Sequence, residues 1–208
     1  MSFEHWLAFT AAAAILVAIP GPTVLLVISY ALGHGRASAR ATVAGVALGD
    51  FTAMTASMLG LGALLAASAA LFTALKWIGA TYLVYLGVRL FRTRPVAFDA
   101  AAPDSAEAEP WRVFLHAYAV TASNPKSIVF FVAFLPQFLN PTAPLLAQMA
   151  LFEATFLALA TLNATLYGLM AAKARRTIRR PSIQRAVNRL GGSLLIGAGV
   201  ATAVWRKT

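Results

Sequence analysis

The 208-residue chain has no cysteine, which excludes disulfides, thiolate metal sites and any mechanism that relays electrons through paired thiols. Charge is scarce too: ionisable Asp, Glu, Lys and Arg make up 12% of the residues, against about 25% in an ordinary soluble domain. Acidic groups are the rarest, seven against seventeen basic ones. Enzyme signatures are also missing. There is no G-x-S-x-G and no phosphate-cradling loop ending in Lys and Ser/Thr, and His5, His34 and His116 are scattered without metal-ligand spacing. These gaps argue against an enzyme, an ATP-driven pump or a resident metal or organic cofactor.

What fills the chain is apolar: 60% of its residues, in runs longer than the ~18 to 20 needed to cross a hydrocarbon core of about 30 Å. Lipid must therefore surround most of the side chains. The formal charge of +10 would suggest nucleic acid in a soluble protein. Here seven of the basic residues crowd into Lys173 to Arg189, which the positive-inside rule explains without a polyanion and which also suits anionic lipid headgroups. Met1 to Trp6 carries no basic residue and the apolar run continues past Pro22 to Leu32, so the first segment reads as a retained helix and not a signal peptide.

Six spans are expected, over Leu7 to Leu32, Ala41 to Ala66, Leu71 to Phe91, Val113 to Pro136, Leu145 to Ala171 and Leu190 to Trp205. Five is the alternative if the fourth is re-entrant. Arg36, Arg40, Arg92, Arg94, Arg112 and the Lys173 to Arg189 cluster fall in the odd-numbered connections, which places those on the cytoplasmic side and both termini in the periplasm; Arg206 and Lys207 pull weakly the other way. The stretch Thr93 to Pro110, rich in Ala, Pro, Asp and Glu, reads as a linker. One transmembrane domain over 1–208 then divides into a repeat over 1–91, a cytoplasmic connection over 92–112 and a second repeat over 113–208.

Each half opens with a helix broken by proline, at Ile19-Pro20-Gly21-Pro22-Thr23 and at Ser123-Asn124-Pro125-Lys126-Ser127. Proline removes a backbone donor and crowds the preceding turn. Asn124 before Pro125 also reads as a helix restart, an N-cap followed by proline at the first helical position. An offset of 103 carries Pro22 onto Pro125 and Asp50 onto Glu153, and an offset of 112 carries Gly79 and Gly87 onto Gly191 and Gly199. A three-span unit repeated once must insert upside down the second time. The expected fold class is an all-α membrane protein of two inverted three-helix repeats with broken helices 1 and 4. The breaks free the carbonyls of Leu16, Ala18 and Thr121, which can accept an ammonium. Simple proline kinks are the alternative.

Asp50, Lys126 and Glu153 fall near the centres of their predicted spans, where each would cost about 2.5 to 3.5 kcal/mol if unpaired. A shared polar cavity is expected. One cation facing two carboxylates can satisfy only one of them fully, so the other is a candidate to carry a proton through the cycle: Asp50 first, Glu153 as alternate. A buried ion pair that only locks the helices is the alternative. Gly45 and Gly49, extended by Ala53, Ala56 and Gly60, form a small-residue packing face. Asn163, Thr161, Thr165 and Tyr167 either line a path or bond to neighbouring helices.

Taken together, Ile19-Pro20-Gly21-Pro22, Gly33-x-Gly35-Arg36, Gly45-x-x-x-Gly49-Asp50, Gly79-x-x-Tyr82-Leu83-x-Tyr85-Leu86-Gly87, Asn124-Pro125-Lys126 and Phe134-Leu135-Pro136-Gln137-Phe138 resemble the lysine exporter (LysE) family, nearest its homoserine/threonine efflux branch. The resemblance spans nearly the whole chain. It implies an inner-membrane exporter of amino acids or their derivatives driven by an ion gradient, and carries Pro20, Gly21, Pro22, Asp50, Asn124, Pro125 and Lys126 over as motif residues. Glu153 matches no motif, so its role rests on the repeat alone.

The expected partners are a small-molecule substrate and membrane lipid, with no nucleic acid; the small-residue faces permit a homodimer. Two rival readings stand. A divalent-metal exporter would want several oxygen ligands, which two carboxylates beside a lysine supply poorly. A membrane scaffold whose buried charges only stabilise assembly predicts no stabilisation by any solute.

Overall fold

The computed structural model describes residues 3–33, 35–67, 69–92, 109–139, 143–171 and 180–204. The linker expected over Thr93 to Pro110 and the first half of the basic cluster from Lys173 lie largely outside those residues. Every described element is helical: α1 (Phe3–Ala18), α2 (Pro22–Gly33), α3 (Gly35–Ala67), α4 (Ala69–Arg92), α5 (Pro110–Ala122), α6 (Pro125–Val129), α7 (Leu145–Leu169) and α8 (Pro181–Val204). Between α6 and α7 the chain widens into a π turn over Phe130–Phe134 and tightens into a 3-10 turn over Leu135–Gln137.

Both proline breaks are present. α1 and α2 meet at 53°, because Pro20 and Pro22 lack the N–H groups that would continue the ladder to Leu16 and Ala18. α2 restarts with proline at its first position, where the missing donor costs nothing. At the second break the Asn124 side chain accepts the Lys126 N–H at 3.1 Å, the predicted N-cap, and Pro125 follows it.

Three helical stretches among the described residues are long and apolar enough to cross a membrane, Ser38–Gly60, Pro110–Gln137 and Leu145–Leu169, and the bent α1–α2 pair makes a fourth if it is one span. The sequence suggested six; α4 and α8, 24 residues each, are the two not counted. Large apolar side chains such as Leu59, Ile78, Leu146 and Leu169 lie exposed on the outer surface, as lipid-facing positions must.

Direction can be read from cross-helix contacts. Trp6 donates to Thr155 and Asn163 donates to the Val17 carbonyl, so α1 and α7 run the same way. Gly45 and Gly49 of α3 lie against α5 at Ala117–Tyr118 and Tyr118–Ala122 respectively, so those two are parallel as well. α4 and α8 are antiparallel. A Cβ on Gly87 would lie 2.7 Å from the Gly192 carbonyl and 2.6 Å from Ile196, and one on Gly199 would lie 2.7 Å from the Ala80 carbonyl and 2.8 Å from Val84. The offset of 112 exchanges those two sets of contacts residue for residue. Each helix thus offers the other the same patch, as in an isologous interface.

The close approach makes a prediction. Gly87→Val and Gly199→Val should each destabilise the purified protein, by about 1 to 3 kcal/mol for an overpacked contact, and to a similar extent. Thermal unfolding in detergent measures both; a variant at either site as stable as the parent would contradict the matched contact.

Gly45 and Gly49 seat α3 directly on the α5 backbone: added Cβ atoms would press on the Phe114 carbonyl and, at 2.9 Å, on the Tyr118 carbonyl. The expected extension of this face holds for buried Ala53 and fails beyond it. Ala56 is exposed and Gly60 has nothing within 4 Å, because α3 outruns its partner.

Candidate functional site

A small cavity of about 40 Å³ lies where the two breaks meet. Gly21 and Thr23 border it from the first break, Asn124, Lys126 and Ser127 from the second, Asp50 from α3 and Asn163 from α7. It has room for a few waters, each needing about 10–15 Å³ on this measure, and is far below the ~300 Å³ of a typical ligand pocket.

Both ends are plugged by apolar side chains. Toward the start of α1, Phe9, Phe130, Phe131, Phe152 and Phe156 form a buried cluster, with ring centroids 4.5 Å apart for Phe9–Phe152 and 4.8 Å for Phe131–Phe156. Toward the end of α2 the plug is aliphatic and slighter: Val27, Val46, Ala117 and Ala164. Phe156 lines the cavity from the first plug, and Val27, Val46 and Ala164 line it from the second. Beyond the second plug Tyr30 and the ring of His116 meet at 2.8 Å, tying α2 to α5.

The broken end of α1 would leave carbonyls without partners, since the last turn of any helix does. Side chains from the second half of the chain take them up. Lys126 Nζ donates to the Leu16 carbonyl at 3.0 Å and to the Ile19 carbonyl at 3.1 Å. Asn163 donates to Val17 at 2.9 Å and the Tyr167 hydroxyl to Ala18 at 3.2 Å. Thr121, the third carbonyl expected to be free, accepts the Asn124 N–H at 3.1 Å and so is closed locally. Asn163 therefore both lines the cavity and bonds a neighbouring helix; the sequence left those two roles as alternatives. Thr165 bonds back to Thr161 in its own helix.

Asp50 is only 5% exposed, yet among the described residues no hydrogen bond reaches its carboxylate and no ion pair closes on it within 4.0 Å. Lys126 acts on it electrostatically from the same cavity. A buried carboxylate in that position is an acceptor without a donor, which native folds rarely keep without a use. Thr23 sits between the breaks, 3.3 Å from the Asn124 amide nitrogen and 3.4 Å from the Thr121 hydroxyl. Pro20, Pro22 and Pro125 shape the breaks, and Gly21 packs beside the Lys126 ammonium, which an added Cβ would meet at 3.4 Å.

Glu153 lies outside the cavity lining. It is half-buried and accepts the Thr55 hydroxyl at 2.5 Å, one helical turn from Phe156 on the side of the aromatic plug. Lys126, Asp50 and Glu153 thus do not share one cavity. The offset of 103 that carries Asp50 to Glu153 carries Lys126 back to Thr23, so the second carboxylate has no matching cation. Glu153→Gln should cost about 1 kcal/mol of stability through the altered Thr55 bond, read by thermal unfolding in detergent. A variant as stable as the parent would contradict the Thr55–Glu153 contact.

Residues 14–205 match the sequence model of the LysE type translocator family. The chain is 34% identical over 205 residues to a homoserine/homoserine lactone efflux protein of Salmonella typhi, with 98% of each chain covered. It is 34% identical over 203 residues, again 98% of each chain, to an uncharacterized membrane protein of Vibrio cholerae serotype O1. A leucine efflux protein of Salmonella typhimurium is 30% identical over 142 residues, 68% of this chain and 66% of that protein. No solved structure matches.

Proposed function

The chain belongs to the LysE type translocator family, and from that premise we propose that it is a secondary exporter of amino acids or their derivatives, coupled to proton entry, with its solute site at the cavity between the two breaks. The observation that carries this reading is Asp50: a carboxylate 5% exposed, with no hydrogen bond or close ion pair among the described residues, on a cavity shared with Lys126 between two apolar plugs. Such a group can take a cation or a proton, and the competition of the two for one carboxylate couples their movements. The efflux proteins among the relatives, named for homoserine, homoserine lactone and leucine, support an amino-acid cargo.

Six spans arranged as two inverted repeats are part of the proposal. α4 and α8, 24 residues each, are about 36 Å long at 1.5 Å per residue and so can cross the hydrocarbon core. Their matched antiparallel contact needs a two-fold axis perpendicular to both helices, which for spanning helices lies in the membrane plane. The parallel pairs α1–α7 and α3–α5 exchange under the same operation. Lys and Arg in the odd connections put the aliphatic plug toward the cytoplasm and the aromatic one toward the periplasm, in the inner membrane. The thinner plug is then the one the solute meets first.

Counterflow in proteoliposomes tests the reading, with labelled leucine, homoserine and homoserine lactone at two imposed pH gradients. Exchange of at least one of them, accelerated when the proton gradient opposes the solute flux, is the expected result. No exchange of any amino acid in folded, reconstituted protein would favour the scaffold alternative.

A further inference from the structure

Two acceptors for a cation and one resident cation meet at the cavity. One acceptor is the pair of carbonyls at Leu16 and Ile19, the other is the Asp50 carboxylate, and Lys126 occupies the first. We propose that the Leu16–Ile19 carbonyl pair is the seat of the solute's ammonium group, and that Lys126 is a tethered occupant which yields the seat to the solute and moves to Asp50. This rests on the exporter reading above and assigns where the solute's amine binds.

Several features fit a seat for an ammonium and not merely an anchor for a lysine. Leu16 has no helical partner because the residue four positions on is Pro20, so its carbonyl stays available whether or not Lys126 is there. A primary ammonium has three N–H donors; the carbonyls accept two from Lys126, and no further hydrogen bond of Nζ occurs among the described contacts. The remaining strong acceptor on the cavity is Asp50, which no donor among the described residues reaches within hydrogen-bond distance. With Lys126 on the carbonyls Asp50 is unpaired; with Lys126 on Asp50 the carbonyls are unpaired. A second ammonium completes both arrangements.

Room for the exchange is present in the backbone. Gly21 lies beside Nζ without a side chain, and the cavity already touches Lys126, Asp50 and Gly21 together. The other carbonyls of the broken end, Val17 and Ala18, are held by Asn163 and Tyr167. The break therefore keeps its bend while Lys126 leaves.

Lys126→Met tests this in the full chain, because it removes the ammonium and keeps an unbranched apolar stem. With the tethered competitor gone, the variant should bind n-propylammonium chloride at least tenfold more tightly than the parent, read by calorimetry or thermal shift in detergent. Tetramethylammonium chloride, a cation without N–H donors, should bind neither protein better than the other. If Lys126 is only a strut, the variant binds propylammonium no better than the parent, or binds both cations equally, and the proposal falls. Should Lys126→Met prove unstable, Lys126→Arg serves: a bulkier, permanent occupant of the seat must weaken propylammonium binding relative to the parent, and unchanged binding overturns the proposal. Counterflow by the parent protein is independent of either result, so the exporter reading and this assignment can fail separately.

Discussion

Asp50→Asn is expected to abolish proton-driven accumulation of the solute while leaving the protein folded. The substitution keeps the shape of the side chain in its buried position and removes the charge that receives a cation. Losing one charge-assisted contact costs about 1.5 to 3 kcal/mol, roughly 10- to 150-fold in rate if it is made during the cycle. The coupling itself should vanish, because an amide does not titrate. Transport assayed with and without a pH gradient separates the two effects. Retention of the parent's gradient response in Asp50→Asn would remove this residue from the coupling role.

The second large effect is structural. Gly49→Val should prevent assembly of the bundle, since even the first added carbon would lie 2.8 Å from Thr121 Cβ, 2.9 Å from the Tyr118 carbonyl and 3.0 Å from the Ala122 N–H. Two of those three are backbone atoms that no rotamer change relieves, so the cost falls at or above the upper end of the ~1 to 3 kcal/mol seen for overpacked cores. The loss also reaches the site, because Gly49 precedes Asp50 and α5 carries Thr121. Gly60→Val is the matched control on the same helix, with nothing within 4 Å. Yield and monodispersity in detergent should collapse for the first and stay normal for the second; equal behaviour would refute the close α3–α5 contact.

Much of this site was legible before any coordinates. Pro20, Pro22 and Pro125 mark the breaks because proline cannot donate, and Asn124 marks the restart because its side chain caps the next turn. Asp50 and Lys126 stood out because ionised groups are costly at mid-membrane. Other parts carried no local signal. Nothing in the run Phe130 to Phe134 distinguishes a π turn from an ordinary helix, and the packing of Phe130 against Phe9 and Phe156 is a tertiary contact with no local mark. The capture of the Val17 and Ala18 carbonyls by Asn163 and Tyr167 depends on which face of α7 meets α1, and that is fixed by tertiary packing. Glu153, matched to Asp50 only by the offset of 103, lies outside the cavity lining for a related reason: spacing along the sequence does not fix which side chains a residue meets.

That asymmetry between the halves is itself informative. The first break is held by three side chains from the second half, whereas the second is closed by its own backbone and the Asn124 cap. Exchange of Lys126 would loosen only the first. The aliphatic plug, which α2 enters through Val27, and the Tyr30–His116 contact lie just beyond it along α2.

Because the protein has no cysteine, the alternating exposure of this cavity can be measured without altering the background. Ser127→Cys places a single thiol in the lining, at a position 5% exposed. A membrane-impermeant methanethiosulfonate reagent should modify it from either face of oriented vesicles, and a transported amino acid should slow the reaction from both. Modification from one face only, or at a rate indifferent to every amino acid transported, would contradict a centrally placed solute site.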